Sequence, residues 1–305
     1  MDNLNPEIPS GFRYWLAWFT WPGLMLICIS ITAYGFSLDY PILFFNIAYI
    51  FLIVALFYME RITPHERQWL LPDGQNFANI AHTLTSKGTV QGLLFFSTVI
   101  GLTEVITPVA EPGNGLWPRH WPMWLQASLG LVVSEFALYW AHRLSHEWSW
   151  LWRFHAVHHS VTKLWIINTG RFHFIDSLVS IVLGTGILVV CGAPLEVVKW
   201  QASITAFIGM LTHCNVEMRF GVLSWLFNTP GLHRWHHSLK HEESDMNYGE
   251  NLMLWDHLFR SYFNPERRPP AAIGINTFMP ALFRHQLIWP FLTKAGKKRV
   301  EASYG

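Results

Sequence analysis

Long apolar runs without charge alternate with short polar segments along the first two thirds of the chain. A helix needs about 20 mostly apolar residues to cross a bilayer. Four runs have close to that length, namely 14–36, 40–58, 92–110 and 121–141. A shorter pair, 178–190 and 200–212, is hinged at a Gly-Ala-Pro turn and is expected either to enter the membrane partway or to cross it. The pattern predicts an all-α integral membrane protein with four to six membrane-embedded helices.

Two of these runs contain an acidic residue, Glu104 in 92–110 and Glu135 in 121–141. A charged side chain is costly within a bilayer and usually faces the protein interior. We therefore expect both carboxylates to point into the protein and not at lipid.

The composition supports a membrane protein. Only 13% of the 305 residues are charged and the mean hydropathy is +0.23, whereas charged residues make up about a quarter of an ordinary soluble domain. The 17 Trp and nine Tyr suit membrane–water boundaries, where amphipathic rings are enriched. A large soluble helical protein is the alternative, and the long uncharged runs argue against it. The net charge of +1 gives no support to nucleic-acid binding, which is normally accompanied by a strongly basic face.

Lysine and arginine are distributed unevenly around the apolar runs. If the runs form three hairpins, the far-side turns are 37–39, 111–120 and 191–199, and these hold only Arg119 and Lys199 of the 21 basic residues. Positive charge accumulates on the cytoplasmic side of membrane proteins, so we expect the N-terminus to be cytoplasmic. The N-terminus lacks the basic stretch of a cleavable signal, and the first run is expected to remain as an anchor.

Eleven of the 16 histidines fall between His142 and His241, and their spacing is informative. Three motifs recur, which we call box one (HRLSH, 142–146), box two (HAVHH, 155–159) and box three (HRWHH, 233–237). On a helix, residues three and four apart share a face, so each box presents two or three imidazoles together. Two HxxHH patterns are expected by chance on the order of once in a thousand chains of this composition.

A cluster of neutral imidazoles gains nothing from packing together unless something binds the nitrogen lone pairs. Imidazole suits Zn, Cu, Fe and Ni, and eight or more nitrogen ligands exceed what one ion accepts, which indicates two metals. The three cysteines have no paired spacing, the HExxH motif of zinc proteases is absent, and a structural zinc site would have four ligands. A bis-histidine haem needs two axial ligands and would leave the triplets unexplained.

In this order and beside membrane runs, the three boxes resemble those of the fatty acid hydroxylase superfamily, which includes sterol desaturases, sterol methyl oxidases, alkylglycerol monooxygenase and lipid hydroxylases. The resemblance covers residues 135–263. Within this range but outside the boxes it includes the segments 168–173, 212–215, 247–249 and 254–259. The Asn-Tyr-Gly segment and the short C-terminal region are most similar to bacterial members and to the alkylglycerol monooxygenase branch.

The resemblance implies a helical domain at the cytoplasmic membrane face that carries the boxes and binds two iron ions. Together with the hydropathy pattern, on which the first third depends, it predicts three regions: an N-terminal transmembrane region (1–120), a catalytic domain (121–265) and a C-terminal cytoplasmic tail (266–305). The family's eight-histidine signature matches His142, His146, His155, His158, His159, His233, His236 and His237. His173 and His213 match positions that look like two further ligands. The candidates for holding ligand imidazoles in place are Glu147, Asp176, His241 and Asp256.

The resemblance further implies an O2-dependent enzyme that hydroxylates or desaturates a C–H bond of a membrane lipid or sterol-like substrate, with no catalytic residue beyond the metal ligands. The chain has no Rossmann fingerprint, haem-attachment motif or iron–sulfur cysteine set, so a separate reductase, ferredoxin, cytochrome or pterin is expected to supply electrons. The alternative is a membrane metal-binding or transport protein. Transport sites usually lie near the bilayer midplane, whereas these boxes follow the ends of apolar runs, which favours catalysis.

Overall fold

The computed structural model describes residues 10–99 and 116–305, and helices dominate both ranges. The longer helices are α1 (Phe12–Ser37), α2 (Pro41–Ile62), α3 (Asn76–Val99), α4 (Met123–Glu147), α5 (Ser149–His159), α6 (Phe174–Val190) and α7 (Leu195–His213). The shorter ones are α8 (Leu223–Leu226), α9 (Pro230–His236), α10 (His241–Ser244), α11 (Leu254–Phe259), α12 (Phe283–Ile288) and α13 (Lys294–Ala302). Extended pairing in the described ranges is limited to isolated bridges, which confirms the all-α prediction.

Helices α1 and α2 form a hairpin that is long and apolar enough to cross a membrane. The turn between them places Asp39 at a positive φ of 63°, and Pro41 begins α2 at a position where its missing N–H costs nothing. Only 33% of the most apolar window of α1 and 17% of that of α2 is buried inside the protein. So much exposed apolar surface is typical of contact with lipid and not with water. The coarse prediction of a membrane protein is therefore supported by these two helices.

The structure places the other predicted apolar runs in different settings. The run 92–110 falls mostly outside the described residues, as does Glu104. The run 121–141 lies within α4, where Glu135 is completely buried, as predicted for an acid in an apolar helix. The runs 178–190 and 200–212 lie within α6 and α7. Among the described helices, only α1 and α2 have the length and apolarity of candidate spans, so the expected four to six are not established.

Helix α4 is central to the fold because it packs against α5, α6 and α7. Its close approach to α6 depends on Gly184, where an added Cβ would lie 2.7 Å from a methyl group of Leu138. Helix α7 also packs against the α1–α2 hairpin, through a core that includes Leu52 and Phe207. The histidine-bearing ends of α4, α5 and α7 therefore meet at one end of the helical core.

The C-terminal segment packs against the same end of the molecule. Gln286 on α12 is fully buried, and its side-chain oxygen lies 3.0 Å from Nε2 of His82 on α3. The Trp69 indole donates a hydrogen bond to the carbonyl of Ala271 (3.1 Å). These contacts attach residues 266–305 to the helices beneath the histidine boxes.

Candidate metal centre

Nine buried or partly buried histidines form two adjacent groups. Cluster one consists of His142, His146, His155, His159 and His236, and cluster two consists of His158, His213, His233 and His237. Within each cluster, one nitrogen of every ring lies within 4.8 Å of the corresponding nitrogens of the others. Ligands about 2.1 Å from a common ion are separated by at most ~4.2 Å, so the spacing is close to that of a metal site before its ligands close on the ion.

The two HxxHH boxes divide their histidines between the clusters. In box two, His155 and His159 are one turn apart on α5 and belong to cluster one, while His158 belongs to cluster two. In box three the division is reversed, because His236 joins cluster one and the other two histidines join cluster two. The spacing predicted that each box presents two or three imidazoles to one point. In the structure the number is two for each triplet, because the middle histidine, His158 or His236, is rotated far enough around the helix to reach the second site.

Box one and α7 complete the clusters. Box one lies on the last two turns of α4, where His142 and His146 project from the same face into cluster one. His213 is the last residue of α7 and points its Nε2 at the Nε2 of His233, 2.8 Å away.

Backbone carbonyls fix the tautomers of two rings in cluster one. Nδ1 of His142 donates to the carbonyl of Tyr248 (2.7 Å), and Nδ1 of His236 donates to the carbonyl of Met246 (2.8 Å). A carbonyl can only accept, so the lone pair of each ring is on Nε2. Both Nε2 atoms are buried without a hydrogen-bond partner among the described residues. These orphaned lone pairs are what a metal ion would bind.

Carboxylates hold two more rings of cluster one in the same way. Nδ1 of His155 donates to Asp176 (2.9 Å) and Nδ1 of His146 to Asp245 (3.1 Å). Nε2 of His159 then lies 3.1 Å from Nε2 of each of these two rings. Because a carboxylate fixes the hydrogen of His155 and of His146 on Nδ1, lone pairs converge at the centre of the cluster.

Cluster two has the same convergence. Nδ1 of His158 lies 3.3 Å from the carbonyl of Arg171, which makes its Nε2 an acceptor, and this atom lies 3.2 Å from Nε2 of His237. Nε2 of His237 is in turn 3.1 Å from Nε2 of His233. Ring nitrogens from several chain segments converge at these distances in both clusters, so the donor set of each cluster fits a metal ion.

The electrostatics keep these imidazoles neutral. Burial, followed by repulsion from neighbouring rings, holds the pKa values of His159, His236 and His237 well below the ordinary value for histidine. A histidine must be unprotonated to bind a metal, so the rings do not have to lose protons near neutral pH before they bind.

A cavity of about 370 Å³ opens directly onto the clusters. Its histidine wall includes His142, His155, His158, His213 and His233. Much of the remaining described lining comes from α2, α3, α6 and α7, and the lining surface as a whole is mostly apolar, with scattered hydroxyls. Such a cavity suits a lipid-like molecule, because apolar walls bind it and a few polar groups orient it.

Comparison with known proteins agrees with this geometry. The fatty acid hydroxylase family model matches residues 127–261, which include all three boxes. The ornithine lipid hydroxylase OlsE of Rhizobium tropici is 46% identical over 280 residues, covering 91% of this chain and 85% of that protein. The chain belongs to the fatty acid hydroxylase family. This confirms the resemblance seen in the boxes, and the protein is an enzyme of the hydroxylase class.

More distant members of the fatty acid hydroxylase family are also similar. The alkylglycerol monooxygenases of Xenopus tropicalis and Homo sapiens are 29% and 27% identical, over 57% and 54% of this chain. These matches cover only 39% and 36% of the two relatives, so they relate to part of each protein and not to the whole. No solved structure matches the chain.

One of the ten histidines expected as ligands in this hydroxylase lies outside both clusters. His173 caps the N-terminus of α6, where its Nδ1 accepts from the backbone N–H of Ile175 (3.2 Å) and its Nε2 donates to the carbonyl of Leu287 (3.1 Å). Both ring nitrogens are therefore used by the backbone. The other nine, including His213, are brought together.

The four residues expected to orient the ligands have different positions. Asp176 contacts the ring of His155, as described above. Asp256 contacts no ligand, and its carboxylate accepts from the backbone N–H groups of Tyr248 and Gly249, which holds the loop whose carbonyl fixes His142. Glu147 pairs with Arg143 at 2.7 Å, and His241 is 79% exposed and 3.7 Å from Asp245.

The sequence interpretation missed Asp245 and the carbonyl acceptors that fix the tautomers of the histidines. Asp245 lies just before the Asn-Tyr-Gly segment, and that position was the one signal that pointed to it. Carbonyl acceptors leave no trace in the sequence, since every residue has one.

Proposed function

We propose that this hydroxylase binds two iron ions and uses O2 to insert one oxygen atom into a C–H bond of an ornithine lipid or a closely related amino-acid lipid. The observation that carries the proposal is the convergence of nine histidines in two adjacent clusters beside an apolar cavity, with the buried Nε2 atoms of His142 and His236 left without a partner among the described residues. The name of the 46% identical relative supplies the substrate class.

The five histidines of cluster one would hold one ion and the four of cluster two the other. Bound iron supplies the activation of O2 and the oxidation of an unactivated C–H bond. The protein's own residues bind the lipid, orient the ligands and exclude water. Asp176 and Asp245 hold two Nδ1 hydrogens in place, and the ring of Phe172 stacks on His158 with centroids 4.1 Å apart, which fixes the plane of that ligand.

The atoms and electrons of the proposed hydroxylation balance when two electrons are supplied from outside. One C–H bond, one O2 molecule, two electrons and two protons give one C–OH group and one water. The sequence has no Rossmann fingerprint, haem-attachment motif or iron–sulfur cysteine set, so we propose that a separate reductase, ferredoxin, cytochrome or pterin supplies the electrons. We propose hydroxylation and not desaturation because the similar proteins are named as hydroxylases and monooxygenases.

The test of this function is a comparison of lipid extracts from bacteria that make ornithine lipid, with and without this gene. Mass spectrometry is expected to show an ornithine lipid that has gained one oxygen atom only when the gene is present. A variant with His158→Ala serves as the inactive control. Loss of two hydrogens would instead indicate desaturation, and an unchanged lipid pool with iron-loaded protein would contradict the proposed substrate.

We also propose the topology that the charge distribution predicts. The N-terminus and the boxes would be cytoplasmic, α1 and α2 would span the membrane, and the regions 1–120, 121–265 and 266–305 would form the transmembrane part, the catalytic domain and the tail. Labelling of intact cells with a membrane-impermeant thiol reagent tests this in a Cys191→Ser background. Asp39→Cys is expected to react and Lys298→Cys to react only after lysis, and the reverse pattern would invert the topology.

The total number of membrane-embedded helices is also part of this proposal. We propose that α4, α6 and α7 enter the bilayer beside the hairpin, because α7 packs against the two candidate spans and α4 packs against both α6 and α7. Cysteines introduced at the turn around Gly192 test whether the α6–α7 pair crosses completely. Reaction with the impermeant reagent from outside indicates full crossing, and reaction only after lysis indicates that the pair enters and returns.

A further inference from the structure

One carboxylate in the cavity is not used by the metal clusters. Glu250 is half-buried and lines the cavity together with His142 and His155. Its backbone N–H donates to Glu135, which fixes the position of the residue. Its side chain has no hydrogen bond or ion pair within residues 10–99 and 116–305, and it belongs to neither histidine cluster.

A second acceptor without a partner lies beside it. Asn228 is 2% exposed and lines the same cavity. Its Nδ2 donates to the carbonyl of Gly249 (2.7 Å), so its Oδ1 must be an acceptor, and that atom is buried with no hydrogen-bond partner among the described residues. A buried acceptor that stays unpaired is costly, which indicates that a donor occupies this position in the working enzyme.

The cavity favours a cation as this donor. Its described lining contains no lysine or arginine. The hydroxyls of Thr83, Ser86 and Thr212 donate to backbone carbonyls and so offer only lone pairs to the cavity. Burial, with repulsion from Glu135 and Asp176, raises the pKa of Glu250 to about 8. A positive charge next to Glu250 would relieve that repulsion and favour its ionised form.

We propose that the carboxylate of Glu250 and Oδ1 of Asn228 together bind the ammonium group of the substrate's amino-acid headgroup. The inference rests on the proposed function and names the part of the lipid that the enzyme recognises. An ammonium group has three donors and no acceptor, which matches two unpaired acceptors on adjacent parts of one cavity wall. Because the same cavity opens onto the clusters, this contact also places the headgroup end of the lipid near the metals.

The experiment measures equilibrium binding of two probes to the purified, metal-loaded enzyme in detergent: ornithine lipid and the same lipid with its free amine acetylated. Wild-type enzyme is expected to bind the free amine roughly tenfold or more tightly than the acetylated lipid, since hydrogen bonds to charged groups have about that effect. Glu250→Gln is expected to lose most of this preference, while Glu250→Asp, which keeps the charge, retains it in part. Glu242→Gln removes an exposed acid outside the cavity and is expected to bind both probes as the wild type does.

The outcomes separate this inference from the proposed function. Equal binding of the two lipids by wild-type enzyme, or an undiminished preference in an iron-loaded Glu250→Gln variant, would overturn the role of Glu250. If Glu250→Gln does not fold, the comparison of the two lipids on wild-type enzyme still decides whether the enzyme recognises the ammonium group. If wild-type enzyme prefers the free amine but adds no oxygen to it, the recognition site stands and the proposed reaction fails.

Discussion

His159 and His237 stack on each other with ring centroids 4.3 Å apart and planes at 19°, although they belong to different clusters. The two clusters therefore share a wall made of imidazoles. A shift of either ring would displace a ring of the other cluster. The two metals are therefore expected to bind as one coupled unit.

Single ligand removals should affect one cluster first. His236→Ala removes a ring from cluster one and His158→Ala removes one from cluster two. Each is expected to abolish hydroxylation and to lower the iron content below two per chain, while the protein still inserts into membranes. Iron analysis of purified protein checks this, with the exposed His120→Ala as the control. Wild-type protein that never holds more than one metal per chain would contradict the two-metal centre.

The two carboxylates that hold ligand rings should differ in importance. The Asp176 side chain is 8% exposed and that of Asp245 is 49% exposed, so water can replace the second more easily than the first. Asp176→Asn is expected to weaken metal binding by roughly 10- to 100-fold and Asp245→Asn by less. Titration of metal-free protein with ferrous iron measures both effects against Glu242→Gln. A larger effect at Asp245 would show that solvent exposure does not set the order.

Metal removal should destabilise the fold around the boxes. Nine histidine rings converge in two buried clusters, and a metal that binds the folded chain but not the unfolded one stabilises the folded state. Saturation at about a thousand times the dissociation constant adds on the order of 4 kcal/mol of stability. Thermal unfolding in detergent is expected to show a Tm that falls with chelator and recovers with ferrous iron. An unchanged Tm would mean that the rings pack stably without a metal.

Glu135 should matter for stability and for metal binding. Its buried carboxylate accepts hydrogen bonds from the backbone of Glu250 and from both the backbone and side chain of Asn251. Glu135→Gln replaces an acceptor with a donor there and is expected to cost about 1.5–3 kcal/mol. The same loop positions the carbonyls that fix His142 and His236, so iron affinity should fall as well. The exposed Glu196→Gln is the control, measured by Tm and iron content.

Because His173 caps a helix and belongs to neither cluster, its substitution should not lower the iron content, unlike substitution of a ligand histidine. His173→Asn keeps a side chain that can cap a helix and is expected to retain both irons with nearly unchanged Tm. His173→Leu removes the cap and should cost about 1 kcal/mol, again without loss of iron. Loss of one iron from the asparagine variant would make His173 a ligand.

Spacing along the chain predicted much of the site. The i, i+3 and i, i+4 periodicity of the boxes led to clustered imidazoles, and nine of the ten expected histidines converge. The division of each HxxHH box between two clusters was missed, because it depends on which helices pack on either side of α5 and α9. Likewise, His173 and His213 both follow recognisable segments, and only the packing of α7 brings His213 to the site while α12 occupies His173.

Hydropathy identified some candidate membrane helices better than others, because an apolar side chain can face either lipid or the protein core. In α2 only 17% of the most apolar window is buried inside the protein, so hydropathy alone identifies a candidate span. Helix α4 is comparably long, but it buries Glu135 and the box-one histidines against other helices, and its apolar residues serve the core as well as any lipid. A hydropathy profile cannot distinguish these two uses of an apolar side chain.

The exchange of histidines between boxes and clusters has a consequence for how such a centre is inherited. Neither site corresponds to a contiguous peptide. Grafting box two or box three onto another scaffold would transfer fragments of two sites, and grafting box one would transfer two ligands of cluster one. A substitution that rotates either helix would therefore disturb both sites at once. Loss of one ion during evolution would also change the packing around the ligands of the other ion.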